Sequence, residues 1–137
     1  MDEKKYRDLS GAEPLEIARQ AGLELLKKQA RDLKLYSVSD TTVITEYYVI
    51  VTGRVSTHVK ALADELADRM TLHGVAPERI EGRDGGAWIL VDFGCVIAHI
   101  FDRESREYYN LERLLRPEDE LATDDLEALA DEAAENL

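Results

Sequence analysis

The sequence holds one cysteine, Cys95, which excludes an internal disulfide and fits a reducing compartment. It has no apolar run near the ~20 residues that a membrane span requires. Its opening segment, MDEKKYRDLS, is charged and lacks the apolar centre of a secretory signal. We therefore expect a cytoplasmic protein with no membrane partner. There is no internal repeat and no Pro- or Gly-rich linker, and 137 residues suit one domain. The three histidines, His58, His73 and His99, lie far apart, with no ligand spacing such as HxxxH, so no metal is expected.

Basic excess is missing too. A net charge of −12 argues against a protein that grips bare phosphate backbones, so little direct nucleic-acid contact is expected. The charge is uneven. Nine acids and no Lys or Arg lie from Pro117 onward, so the first 116 residues account for only −3 of the net −12. This divides the chain into an N-terminal extension (1–12), a domain (13–116) and an acidic tail (117–137). The tail reads equally as a solvated extension or as a helix capped by Thr123, with Leu126, Leu129, Ala130 and Ala133 on one face.

The apolar spacing shows what is present. Ser10 and Glu13 have capping-box spacing, and Leu15, Ala18, Gly22, Leu25, Leu26 and Gln29 predict a helix from about Glu13 to Arg31. A short strand is expected near Leu35–Val38, and Tyr47–Thr52 reads as a buried strand. Ser56 or Thr57 suits the cap of a second helix, whose stripe is Val59, Leu62, Ala63, Leu66 and Met70, with Gly74 at its end. Trp88–Phe93 and Val96–Phe101 predict a hairpin around Gly94-Cys95. A short helix is expected over Glu104–Tyr109, with a further turn over Leu111–Leu115. Together these predict a small α/β or α+β domain with a mixed sheet.

A two-residue turn would pair Phe93 with Val96, Leu90 with His99, and Trp88 with Phe101. One face is then wholly apolar: Ile89, Val91, Phe93, Val96, Ala98 and Ile100. The other carries Trp88, Leu90, Asp92, Ile97, His99 and Phe101. That mixed face reads either as an outer face half-covered by the C-terminal helix or as a protein-binding patch, since Trp, Tyr and Arg dominate interface hot spots. Asp92 and His99 would be diagonal neighbours, with an ionised Asp92 raising the His99 pKa. They have the residue types of a catalytic dyad, but no nucleophile is placed beside them except Cys95 at the turn. Gly53-Arg54-Val55-Ser56 joins a strand to a helix, where phosphate loops occur. With one glycine and no following Lys-Ser/Thr, it favours a plain tight turn. The paired metal-binding carboxylates of a nucleotidyltransferase are missing, because Asp92 is flanked by Val91 and Phe93. No catalytic residue and no cofactor are expected.

Several segments in order resemble the Iojap-like ribosomal silencing factors. They are Glu46-Tyr47-Tyr48-Val49-Ile50-Val51-Thr52-Gly53, Ser56-x-His58-Val59-Lys60-Ala61-Leu62-Ala63, Glu81-Gly82, Trp88-Ile89-Leu90-Val91-Asp92-Phe93-Gly94, His99-x-Phe101 and Arg106-Glu107-Tyr108-Tyr109-x-Leu111-Glu112-x-Leu114. The resemblance spans about Leu15 to Leu115. It implies a nucleotidyltransferase-like fold without the catalytic machinery. It also implies binding to the large ribosomal subunit at ribosomal protein fourteen, which sterically blocks subunit association and lowers translation when nutrients are scarce. It allows a homodimer when the protein is free. Cys95 and Leu115 depart from the family pattern, which usually has an acidic residue and a tryptophan there.

On this reading the partner-binding residues are Trp88, Asp92 and His99, with Tyr109, Leu111 and Glu112 from the closing motif, the acids complementing a basic ribosomal protein. Tyr109 and Leu111 read equally well as ordinary packing onto the sheet. The alternative function is a nucleotide-binding enzyme of transferase-like fold.

Overall fold

The computed structural model describes residues 6–135, so residues 1–5 of the expected extension and 136–137 of the expected tail lie outside it. The chain runs α1 (Pro14–Lys27), β1 (Arg31–Ser37), β2 (Tyr47–Gly53), α2 (Ser56–Leu72), β3 (Arg79–Glu81), β4 (Trp88–Asp92) and β5 (Val96–Asp102). It continues through α3 (Arg103–Tyr109), 3-10 turns at Leu111–Leu114 and Pro117–Asp119, β6 (Glu120–Leu121) and α4 (Asp124–Glu135). The six strands form one mixed sheet in the order β3-β4-β5-β2-β1-β6, in which only β2 and β5 run parallel. This is an α+β domain, as the apolar patterning predicts.

The boundaries differ from expectation for identifiable reasons. Glu13, not Ser10, stands at the N-cap of α1, and Glu16 takes the Glu13 backbone N–H at 3.4 Å. Ser10 is instead committed to a local turn, its N–H bonded to the Asp8 carboxylate at 3.0 Å. α1 stops at Lys27, short of Arg31, because Gln29 turns left-handed at φ 70° and frees the chain to enter β1. β1 therefore starts four residues before the expected Leu35. Neither Ser56 nor Thr57 caps α2. Val55 holds that position, and a histidine one turn on takes up the adjoining backbone (Arg54 N–H to His58 Nδ1, 3.0 Å). The short edge strands β3 and β6 carry too few residues to show a period in the sequence.

The hairpin register agrees with the sequence reading: Trp88 faces Phe101, Leu90 faces His99, and the Phe93 N–H bonds the Val96 carbonyl at 2.8 Å. Gly94 holds φ +89° in the turn, a conformation that L side chains rarely adopt. The apolar face, with Val49 and Val51 of β2 beside it, packs against α1 and α2 through Ala18, Ala21, Leu25, Val59, Leu62 and Leu66. Full burial of each large aliphatic side chain contributes roughly 1.5–3 kcal/mol, so this layer is the main source of stability. Gly53 lets α2 approach: a Cβ there would meet Val59 Cγ2 at 2.8 Å. Within the acidic tail, Asp124–Glu135 forms a packed helix and not a solvated extension. Leu126 is 4% exposed in the same core, and α4 lies on α1, joined by the Arg19–Asp125 ion pair.

Candidate protein-binding face

The second face of the sheet is covered only at one end. There α3 and the Leu111–Leu114 turn fold back from β5, while α4 is on the opposite side against α1. The covering element for Trp88 is thus the α3 segment and not the C-terminal helix. A second, smaller core forms beneath it from Tyr36, Val38, Ile50, Phe101 and Leu115, with Tyr48, Trp88 and Leu111 at its margin. Leu115, at the position where the resembling family has tryptophan, is 8% exposed within that core, whereas its neighbour Leu114 is 60% exposed.

Trp88 is half-buried at the centre of an aromatic group. Its ring stacks on Phe101 (centroids 4.8 Å apart) and meets Tyr109 at 4.9 Å. Its indole N–H donates to Nδ1 of His99 at 3.1 Å, and Tyr48 approaches the same imidazole edge-on at 4.5 Å. His99 is 4% exposed, and burial pushes its pKa down to about 4. This direction is opposite to the one expected from an adjacent ionised Asp92. Burial is the cause, and the Asp92 carboxylate is engaged instead by β3, which the sequence does not reveal. Its Arg79 takes the Asp92 carboxylate at 3.1 Å, and the Gly94 N–H takes the other oxygen at 2.7 Å. Asp92 and Trp88 also sit at opposite ends of β4, about 13 Å apart at ~3.3 Å per residue.

The structure thus brings Trp88, His99 and Tyr109 together, with Leu111 beside them, and sets Asp92 and Glu112 apart. Glu112 forms a two-pronged ion pair with Arg106 at 3.0 and 3.1 Å. Arg106 also donates to Thr52 Oγ1 (2.9 Å) and to the Asp32 carbonyl (2.7 Å). Both acids are therefore occupied within the chain, and the face around Trp88 is aromatic more than acidic. Arg106 and Tyr48 are structural residues of this site that the sequence reading did not select. The signal for Arg106 was its place in the closing motif. For Tyr48 it was strand alternation, which puts it opposite Val49. Exposed Tyr108 (82%) and Tyr109 (48%) extend the apolar surface beyond the sheet. Cys95 is a turn residue whose carbonyl accepts the N–H groups of Glu46 and Tyr47, and burial pushes its thiol pKa up, away from the reactive thiolate.

The family described as "RsfS: Ribosomal silencing factor during starvation" matches residues 12–136, a span that extends past Leu115 and through α4. The ribosomal silencing factor of Bacillus subtilis is 34% identical over 87 residues, covering 64% of this chain and 74% of that protein. The mouse protein named "Mitochondrial assembly of ribosomal large subunit protein 1" is 34% identical over 94 residues, 66% of this chain and 41% of its own length. A crystal structure of a Chromobacterium violaceum protein superposes with a TM-score of 0.73 at 31% identity, covering 75% of this chain and 86% of that one.

Proposed function

This chain belongs to the ribosomal silencing factor family, and we propose that it binds the large ribosomal subunit at ribosomal protein fourteen and keeps the small subunit off by its bulk. Such a role needs affinity and position only, with no bond made or broken and no cofactor. It lowers translation when nutrients are limiting, in the cytoplasm. The observation that supports the binding site is the half-exposed Trp88, framed by Phe101 and Tyr109 on a sheet face that α1, α2 and α4 leave open. An amphipathic ring held in a prepared setting is the type of side chain that anchors protein interfaces. Tyr109 and Leu111 extend the contact, and His99 acts from beneath by holding the indole.

Asp92 and Glu112, tied to Arg79 and Arg106, serve to shape the rim and add little charge attraction. The same apolar face pairs two free copies, so dimer and ribosome compete for it. The test is light scattering of purified subunits mixed under associating conditions. The chain in excess reduces the assembled fraction, and folded Trp88→Ala does not. Assembly unaffected by the parent chain removes the proposal.

A further inference from the structure

A second surface, which shares the α3 segment with the Trp88 face, carries most of the chain's unpaired positive charge. Among the described residues five cations have no carboxylate partner: Lys27, Arg31, Arg54, Lys60 and Arg113. Three of the five, Lys27, Arg31 and Arg54, line one open cleft of about 1940 Å³. Two weakly paired cations line it as well: Lys28, 3.4 Å from Glu65, and the well-exposed Arg103, 3.8 Å from Glu107. Acids line the same cleft: Glu24, Glu107 and Glu112 are paired within the chain, whereas Asp32, Glu127 and Asp131 enter no ion pair among the described residues.

Topology sets the cations in a row. Arg31 opens β1 directly across from Thr52 of β2. Arg54 follows the end of β2, and Gly53 just before it pairs with Asp102 of β5, after which comes Arg103. Arg31, Arg54 and Arg103 therefore cross three adjacent strand ends, about 10 Å in all at ~4.8 Å per strand. The carboxyl ends of parallel strands in open sheets are where such crevices bind ligands. Lys27, in the last turn of α1, is partly explained by the helix dipole, but that account does not reach Arg31 or Arg54.

The row is also fixed in place. His58 is buried, accepts the Arg54 N–H at Nδ1 (3.0 Å) and, with its proton on Nε2, donates to the Lys28 carbonyl (3.0 Å). One neutral imidazole thus ties the backbone of the Arg54 segment to that of Lys28. Glu127 and Asp131 of α4 line the same cleft, and no ion pair among the described residues joins them to the cations.

We propose that this cleft binds the phosphate backbone of a strand of ribosomal RNA, as a second contact on the large subunit, with the α4 acids weakening it. The partner rests on the reading given under Proposed function. The size favours a polymer: drug-sized and cofactor pockets run roughly 300–1,000 Å³, and this one is larger and open. Arginines suit phosphate through their forked donors.

The probe is a fluorescent twelve-nucleotide oligouridylate, titrated by anisotropy with the full chain at several salt concentrations. Three unpaired cations on a single strand predict a slope of log K against log salt of about −2. The combined exchange Lys27→Gln, Arg31→Gln, Arg54→Gln, all on exposed positions, is expected to lower affinity at least tenfold and flatten the slope. Glu127→Gln with Asp131→Asn is expected to raise affinity severalfold, a gain that misfolding cannot produce. Absence of oligouridylate binding at low salt, or equal binding by the triple variant, overturns the proposal. So does displacement by micromolar ATP, which would mark a mononucleotide site, or equal displacement by polyglutamate, which would mark an acidic protein. Trp88→Ala leaves the oligouridylate result unchanged, so failure of the sheet-face reading and failure of this one are separable.

Discussion

The indole N–H of Trp88 bonds to Nδ1 of His99 at 3.1 Å, which assigns the neutral ring's own proton to Nε2. That Nε2 is buried without a hydrogen-bond partner among the described residues. A solvent-facing tryptophan is thus oriented by a histidine that water does not reach, and the histidine bears a desolvation cost for it.

A pH dependence follows. The folded His99 pKa is depressed to about 4, below the ordinary value of 6.5. Between these values the unfolded chain binds a proton that the folded chain does not. Stability is therefore unaffected above about pH 6.5 and falls as pH drops toward 4, by up to about 3 kcal/mol. His99→Gln is expected to remove this slope in urea denaturation measured from pH 7 to 4.5. NMR titration is expected to show His99 neutral through pH 5, in the parent and in Asp92→Asn alike. A midpoint near 6.5 in the parent contradicts the burial account.

Trp88→Ala is expected to weaken binding to isolated ribosomal protein fourteen by about thirtyfold, the equivalent of ~2 kcal/mol for an anchoring tryptophan. Trp88→Phe keeps the stacking on Phe101 and loses the bond to His99, so an intermediate loss is expected. Calorimetric titration of folded variants checks both, and parent-like affinity in Trp88→Ala rules Trp88 out as the anchor.

Arg106→Met leaves the Glu112 carboxylate, Thr52 Oγ1 and the Asp32 carbonyl without their shared donor. Removing one member of such a largely buried network costs roughly 3 kcal/mol. Urea melts are expected to show that loss. Near-UV circular dichroism should change as well, because α3 carries Tyr109 against Trp88. A melt within 0.5 kcal/mol of the parent, on the order of an ordinary surface substitution, contradicts the assigned role.

Leu126→Ala tests whether the tail belongs to the fold. Leu126 is 4% exposed, with Cδ1 3.6 Å from where a Gly22 Cβ would lie. A buried Leu→Ala exchange costs about 2–5 kcal/mol. A loss in that range, with earlier proteolysis inside α4, is expected. No loss means that α4 is merely adjacent.

The sequence revealed the elements whose residues are long, periodic or constrained by a turn. α2 and the β4–β5 hairpin were legible because a 3.6-residue stripe and a Gly94 turn each admit one register. The hairpin register then placed Trp88, His99 and Phe101 on one face. Charge partners were not legible. Asp92 pairs with Arg79 through a three-residue strand, and Glu112 with Arg106 across a turn, so both acids looked free in sequence and are engaged in space. The tail was undecided because its single deeply buried contact, Leu126, depends on a gap above Gly22 that no local pattern discloses. His58 showed no ligand spacing, and its role as a backbone tie appears only once β2, α1 and α2 are assembled.

The proposed function has one face of this chain occupy the subunit-joining side of the large ribosomal subunit. Its most direct test is sedimentation of the purified chain with isolated large subunits and, separately, with assembled ribosomes. The chain is expected to pellet with free large subunits near one-to-one and not with assembled ribosomes, and folded Trp88→Ala is expected to remain in the supernatant. Equal pelleting with both particles, or with neither, contradicts the claim.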